Sequence, residues 1–438
     1  MLLYLIGAVV CLTGLWAWAV QQTPRKLDDH GNVMDPTGSS RWKNAIGWAM
    51  AKIAVSRETR ASQLPKDELE RFHKAEDHQF WNESYYFNAC DKETRDRVIT
   101  RISRRGPGGK QAYLLLLLDL KDHGQFALER DHEPVDLTQT DPQSSGVRYT
   151  CLEPMRKWRI TFSGKLRRGC ATPEELSQNQ GEMVDVEIDL IYERTTPVYW
   201  YMRDDKMRTL AYNLSQETWD IDFWKACISR SANHAHYEDF GSMNGFVAVN
   251  EKKRVYGTMT SFRDHSWDIR RWQAMDHLFL LLLTFDEPLE IFGYSYSFLD
   301  LTLVWMPGSP TLSRYSTGYL LGTEASGAPI LVLTGGTSIR DIPYRTLPSG
   351  RREPVDRHEL VMYVSTQSGE AETPIRITME GEPRRLSYFP DDHAFECHED
   401  SVDITVTNCL TNKSSKAHGT RQSGYRVGDF DPSLGGCG

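Results

Sequence analysis

Residues 2–20, LLYLIGAVVCLTGLWAWAV, make a 19-residue run without a charge. A helix of that length spans a bilayer core, and Trp16 and Trp18 stand near its end, where interfacial aromatics belong. The pattern predicts a transmembrane anchor over 1–21. A cleaved signal peptide is the alternative, since Ala17-Trp18-Ala19 fits a small-x-small site. The run has no basic residues before it and exceeds a usual signal core, which favours the anchor. Arg25 and Lys26 follow it, and the positive-inside tendency then favours a cytosolic body. Residues 22–74 read as linker and amphipathic helices. Trp42, Ile46, Ala49/Met50 and Ile53 recur at helical spacing. They predict a helix lying either on a membrane surface or on the protein body. A second helix is expected after Pro65, in KDELERFHKAEDH.

From residue 75 the texture changes to short alternating runs cut by turns. In Lys157–Lys165, Trp158, Ile160 and Phe162 face one side while Arg159, Thr161 and Ser163 face the other. Val184, Val186, Ile188 and Leu190 alternate with Asp185, Glu187 and Asp189. Gly106-Pro107-Gly108-Gly109 predicts a hairpin turn. The Leu-rich runs 114–118 and 280–283 suit helix by propensity, but their bounding turns favour buried strands. Roughly sixteen short strands with close turns predict a mostly β chain of two consecutive antiparallel barrels. Their expected bounds are 75–275 and 276–412, and 413–438 reads as a polar, Gly-rich flexible tail.

The chain has 438 residues with 51 Lys+Arg against 60 Asp+Glu, a net charge of −9, which argues against a nucleic-acid partner. Aromatic residues are 11%, which excludes wholesale disorder. Seven of the eight cysteines lie outside the apolar run, with no C-x-x-C spacing, a pattern of reduced thiols rather than a disulfide framework. There is no phosphate-binding loop, no dinucleotide fingerprint, no HEXXH and no G-x-S-x-G. No cofactor is implied.

Four of the 13 histidines fall between 234 and 277. His236, Tyr237 and Glu238 precede Arg263, Asp264, His265 and Trp267, and Trp272 and His277 follow. A metal site is one reading, since H-x-H on a strand turns both rings to one face. Glu238 stands too close behind His236 for the usual β-barrel ligand spacing, so no metal is expected. A metal-free acid–base set is the second reading, with Asp264, His265, His236 and Glu238 as candidate catalytic groups. A carboxyl buried among aromatics has a raised pKa and can protonate an alkene or carbonyl. Trp267, Trp272 and Tyr237 would shield a developing cation with their ring faces, and Arg263 and His277 would complete the substrate site. The third reading is a buried polar network bracing a barrel corner or a domain interface. Asp264 and His265, adjacent on a strand, must point to opposite faces.

The stretch Gly257-Thr-Met-Thr-Ser-Phe-Arg263-Asp264-His265-Ser266-Trp267 resembles the G-x-G-x-R-D-H-S-W-G signature of a family of double lipocalin-like proteins. Tyr149–Ile160 and Phe87-Asn88-Ala89 fit the same family, and the resemblance covers about 75–410. It is nearest to the N-terminal region of animal phosphoenolpyruvate synthase-like proteins. More remotely it is similar to the carotenoid 1,2-hydratase (hydroxyneurosporene synthase) and tocopherol cyclase group and to fungal Diels–Alderases. Asp268 replaces the usual final glycine, and Met259 the second of the pair. The resemblance implies two eight-stranded calycin-type barrels around an apolar pocket. It also implies hydration, cyclisation or isomerisation of an isoprenoid- or lipid-like substrate in the members that are enzymes. A carrier for such a molecule, or a membrane-tethered interaction module, are the alternatives. With residues 2–20 as anchor, a single-pass endomembrane location such as the endoplasmic reticulum is expected, or secretion if the segment is cleaved.

Overall fold

The computed structural model describes residues 41–135, 140–168, 181–217, 219–221, 223–225, 234–270, 275–307, 314–369, 371–388 and 395–428. The expected membrane span lies outside them, as does Trp272. Among the described residues no helix is long and apolar enough to cross a membrane.

Helix α1, Arg41–Ala61, buries a different stripe from the expected one. Gly47, Ala51 and Glu58 are buried, while Ile53 is 56% exposed. Small residues set this face, because they let α1 lie against a later helix, and a Cβ on Gly47 would meet the Ala211 carbonyl oxygen at 2.5 Å. The expected helix after Pro65 is a single turn, α2, Lys66–Leu69. It stops because the barrel takes over the backbone of the next residues, as described below. Helix α3, Met207–Gln216, is the one that receives α1.

The first barrel opens with four strands in sequence, β1 Trp81–Cys90, β2 Arg97–Arg105, β3 Gln111–Leu120 and β4 Gly124–Pro134. The β2–β3 turn uses Gly106, Gly108 and Gly109 at positive φ, as the sequence predicts. A short hairpin, β5 Gln143–Ser144 and β6 Val147–Glu153, precedes β7 Lys157–Arg168 and β8 Met183–Arg194. After β9, Tyr199–Trp200, the long strands β10 Ala235–Val249 and β11 Lys252–Ile269 complete the wall. The antiparallel order β4-β3-β2-β1-β11-β10-β8-β7 closes where β7 returns to β4.

The second barrel runs β12 His277–Ile291, β13 Tyr294–Trp305, β14 Arg314–Leu321 and β15 Leu331–Gly336. A separate hairpin, β16 Tyr344–Thr346 with β17 Arg352–Pro354, interrupts it. It resumes with β18 Glu359–Thr366, β19 Thr373–Tyr388, β20 Phe395–Asn408 and β21 Lys413–Arg426. These eight strands close through β21 and β12. The expected flexible tail from 413 is therefore overturned up to Arg426. Strand β21 is polar in sequence because small residues and a buried charge fill its inward and partner-facing positions. A Cβ on Gly419 would sit 1.9 Å from the Leu282 carbonyl oxygen, and Arg421 is buried against Asp400.

Both Leu-rich runs are strands buried on two faces. Leu114, Leu116 and Leu118 fill the first barrel, while Leu115 and Leu117 join a core shared between the barrels. Leu281 and Leu283 fill the second barrel, and Leu278 and Leu282 face the shared core with Tyr86, Phe240, Phe262 and Tyr319. Two-sided burial removes the period-2 alternation that marks a half-exposed strand. Cys90, Cys151 and Cys409 are free thiols.

Candidate functional site

Strands β10 and β11 pair with Tyr237 opposite His265, Glu238 opposite Asp264 and Asp239 opposite Arg263. Alternation then sorts the predicted residues onto two faces. His236, Glu238 and Asp264 point to the seam between the barrels. Tyr237, Arg263, His265 and Trp267 point into the end of the first barrel. The structure thus divides the expected single cluster into two. It also separates His277, which lies at the end of the second barrel between Tyr344 and Tyr425.

At the seam, His236 Nε2 bonds the Asp264 carboxylate and lies 3.2 Å from Glu238 Oε1. Its ring stacks on Tyr201 at 3.8 Å and is 24% exposed. Tyr201 donates to Glu238 Oε1 at 2.8 Å, and Tyr319 of the second barrel donates to Oε2 at 2.6 Å. Glu58 of α1 accepts from the His236 backbone N–H at 3.1 Å. Burial works against a charged His236, but Asp264 and Glu238 outweigh it and push the pKa up to about 9. Burial alone would raise Asp264; the imidazolium outweighs it and holds the carboxyl below its ordinary range. The expected raised-pKa acid is therefore not Asp264. The proton at neutral pH sits on His236. Asp300, on β13, is driven well above the ordinary carboxyl range by burial and then by Glu238, which favours its neutral form. The donors of His236, Glu238 and Asp264 lie within 4.8 Å of one another, close enough for one ion, although a single imidazolium proton already satisfies them.

Inside the barrel end, the residues after α2 form a plug. Tyr237 donates its hydroxyl to the Leu69 carbonyl at 2.9 Å, and Tyr85 donates to the Glu70 carbonyl. Arg263, 1% exposed, bonds Asp239 at 2.6 Å and Glu70 at 2.7 Å. Glu70 also accepts from the Met155 N–H in the β6–β7 turn at 2.7 Å. The His73 N–H and Nδ1 both bond the Glu83 carboxylate, and His265 Nε2 lies 3.2 Å from the same carboxylate. His73 stacks on Trp267 at 3.5 Å, and Phe72 packs edge-on against Tyr85. Burial lowers the His265 pKa against the pull of Glu83, so the ring is neutral. Burial would raise Glu83, but bonds from His265 and His73 bring it below its ordinary range.

Arg263, Tyr237 and Trp267, expected to touch a substrate, and His265 are all buried against the plug. The sequence reading missed Glu70, His73 and Glu83, which come from a loop and the first strand. It also missed Tyr201, Asp300 and Tyr319, two of them supplied by the other barrel. No local spacing marks them, because only the closure of β1 onto β11 and the packing of the barrels bring them in. A groove of about 670 Å³ opens in the first barrel's wall beside β5 and β6, lined by Ser144, Arg148, Arg159 and Asp189 among others; neither cluster reaches it.

A family described as a domain of unknown function (DUF7064) matches residues 66–313, from the plug helix through β13. No curated protein matches the chain. Among solved structures, an AttH protein from Nitrosomonas europaea is 12% identical with a TM-score of 0.47, over 80% of this chain and 93% of that one. CghA with Sch210972 is 10% identical with a TM-score of 0.42, over 81% of this chain and 90% of that one. CghA in a second crystal structure is also 10% identical, with a TM-score of 0.41. Since the family match spans more than half of the sequence, the chain belongs to the DUF7064 family.

Proposed function

We propose that the protein binds an isoprenoid- or lipid-like small molecule at the seam between its barrels and moves a proton on and off it. The observation that carries this is His236: a partly exposed imidazole, bonded to two flanking carboxylates that favour its protonated form and stacked on a tyrosine. A cation poised this way donates its proton to an alkene or carbonyl and recovers one from water or from a neighbouring carbon. The outcome is hydration, cyclisation or isomerisation, with no change of oxidation state. Asp264 and Glu238 are positioning residues, and the faces of Tyr201 and Tyr319 suit a developing positive charge. The resemblance to the carotenoid 1,2-hydratase and tocopherol cyclase group supports proton-driven chemistry on an apolar substrate. The charge-free run 2–20 is proposed as the tether that keeps the site near a bilayer holding that substrate, on an endomembrane.

A second reading has its own support. Both barrel interiors are occupied by their own side chains, such as Phe87, Tyr149 and Trp158 in the first and Phe279, Leu301 and Ile377 in the second. Such interiors suit a carrier that uses only its surface, or a tethered interaction module. Native mass spectrometry of the detergent-solubilised full chain, with lipid extraction, separates these. A stoichiometric apolar ligand that the wild type converts and His236→Gln retains unchanged supports the enzyme. A retained ligand that neither converts supports the carrier. A bare mass after exposure to a lipid extract overturns small-molecule binding.

A further inference from the structure

We propose that His73, Glu83 and His265 bind one divalent transition-metal ion of the zinc or ferrous class, which pins the plug to the end of the first barrel. This site is separate from the seam and does not depend on the function proposed there.

The donors already converge. His73 Nδ1 lies 2.7 Å and His265 Nε2 3.2 Å from Glu83 Oε1, and all three atoms lie within 4.8 Å of one another. Zinc bonds of about 2.0–2.1 Å set neighbouring donors about 3.3 Å apart in a tetrahedral shell. Relative to that spacing the His73–Glu83 pair would open by about 0.6 Å and the His265–Glu83 pair by about 0.1 Å. Two imidazoles and a carboxylate are borderline donors, which favour zinc or ferrous iron over magnesium or calcium.

The rings are also held as ligand rings are held. His265 stacks on Tyr85 at 3.8 Å and His73 on Trp267 at 3.5 Å, so neither rotates freely. Metal-bound histidines usually have the second ring nitrogen fixed by an outer partner. Here Tyr237 lies 2.8 Å from His265 Nδ1.

Counting protons bears on the same site. Tyr237 has one hydroxyl proton, and the Leu69 carbonyl 2.9 Å away can only accept it. Towards Tyr237, His265 must then donate from Nδ1. If the ring carries that single proton, its Nε2 is a lone pair facing a carboxylate oxygen at 3.2 Å. Two lone pairs at that distance repel unless a proton or a metal cation lies between them. The opposite tautomer relieves this only by leaving the buried Leu69 carbonyl without its donor, a cost native interiors avoid. A metal ion satisfies both ends at once. Its ligands come from the plug, from β1 and from β11, so it would cross-link the loop to the first and last strands of the barrel.

The test uses the full chain in detergent, stripped with a chelator and titrated with Zn²⁺ by calorimetry and with Co²⁺ by visible absorption. One ion per chain is expected, with the intense cobalt bands of four-coordination and a higher melting temperature on adding zinc. His73 is on a loop, so His73→Gln keeps the strands intact; it should weaken binding at least tenfold while circular dichroism stays unchanged. Tyr237→Phe should weaken it tenfold to a hundredfold, as loss of an outer partner does. His236→Gln should leave binding unchanged. The proposal is overturned by less than stoichiometric binding, by a His73→Gln variant that binds as tightly as wild type, or by loss of binding in His236→Gln, which would place the ion at the seam. Absence of any substrate turnover bears on the seam alone.

Discussion

Arg263→Met asks whether the buried arginine braces the plug or waits for a substrate. The guanidinium is 1% exposed and its partners Asp239 and Glu70 are 0% and 2% exposed. The substitution removes bonds of 2.6 and 3.2 Å to Asp239 and one of 2.7 Å to Glu70, and strands two carboxylates in the interior. Breaking one side of a buried ion pair costs about 3–5 kcal/mol. For a domain of this size each kcal/mol moves the melting temperature about 2–4 °C. The expected drop is therefore about 6–20 °C, read by tryptophan fluorescence during heating and by the urea midpoint. Adding Asp239→Asn removes one stranded charge, so the double variant should be more stable than the two single losses sum to. Because stranded carboxylates take up protons, the penalty should shrink as the pH falls. A loss below about 1 kcal/mol, or strict additivity of the two substitutions, would refute the bracing role.

His236 has a folded pKa of about 9 against about 6.5 unfolded, so its ion pair stabilises fully below pH 6.5 and fades as the pH rises towards 9. His236→Gln should flatten the stability curve across that window, and an unchanged slope would count against the seam imidazolium. His277 is pushed down to about 3 by burial and then by Arg352, so the folded chain refuses a proton that the unfolded chain accepts below pH 6.5. Stability should therefore fall on acidification by up to about 1.4 kcal/mol per pH unit, and His277→Phe should reduce that loss in an acid titration. A Cβ at Gly419 would sit 1.9 Å from the Leu282 carbonyl oxygen, whereas one at Gly257 meets nothing within 4 Å. Gly419→Ala should abolish soluble expression or cost several kcal/mol, and Gly257→Ala should be near neutral in melting temperature; similar behaviour of the two would contradict the β12–β21 register.

The barrels were legible because period-2 alternation in β7 and β8 and the glycine turn after β2 are local signals. Strand β21 was not, since its burial rests on glycines, Ala417 and an ion-paired Arg421 instead of apolar alternation. The single-turn α2 was overestimated because helical spacing continues past Leu69, where hydroxyls and charges of distant strands capture the backbone. At the site, alternation alone assigns Asp264 and His265 to opposite faces, and the structure bears that out. It cannot say which face meets a second barrel. The partners that set the charge of His236 and the environment of His265 arrive through contacts between residues far apart in sequence.

Both rings close between their first and last long strands. Trp81 pairs with Ile269 and His277 with Tyr425. Such pairing gives a high contact order, and folding of that kind is slow. During synthesis the first ring cannot shut until residue 269 has emerged, and the two leucine runs stay without a partner sheet until the second ring has formed. A ribosome-bound intermediate would therefore display adhesive strands for most of translation. Cells that make this protein should need a holding chaperone early, and an isolated first barrel should aggregate through the wall that the second barrel normally covers.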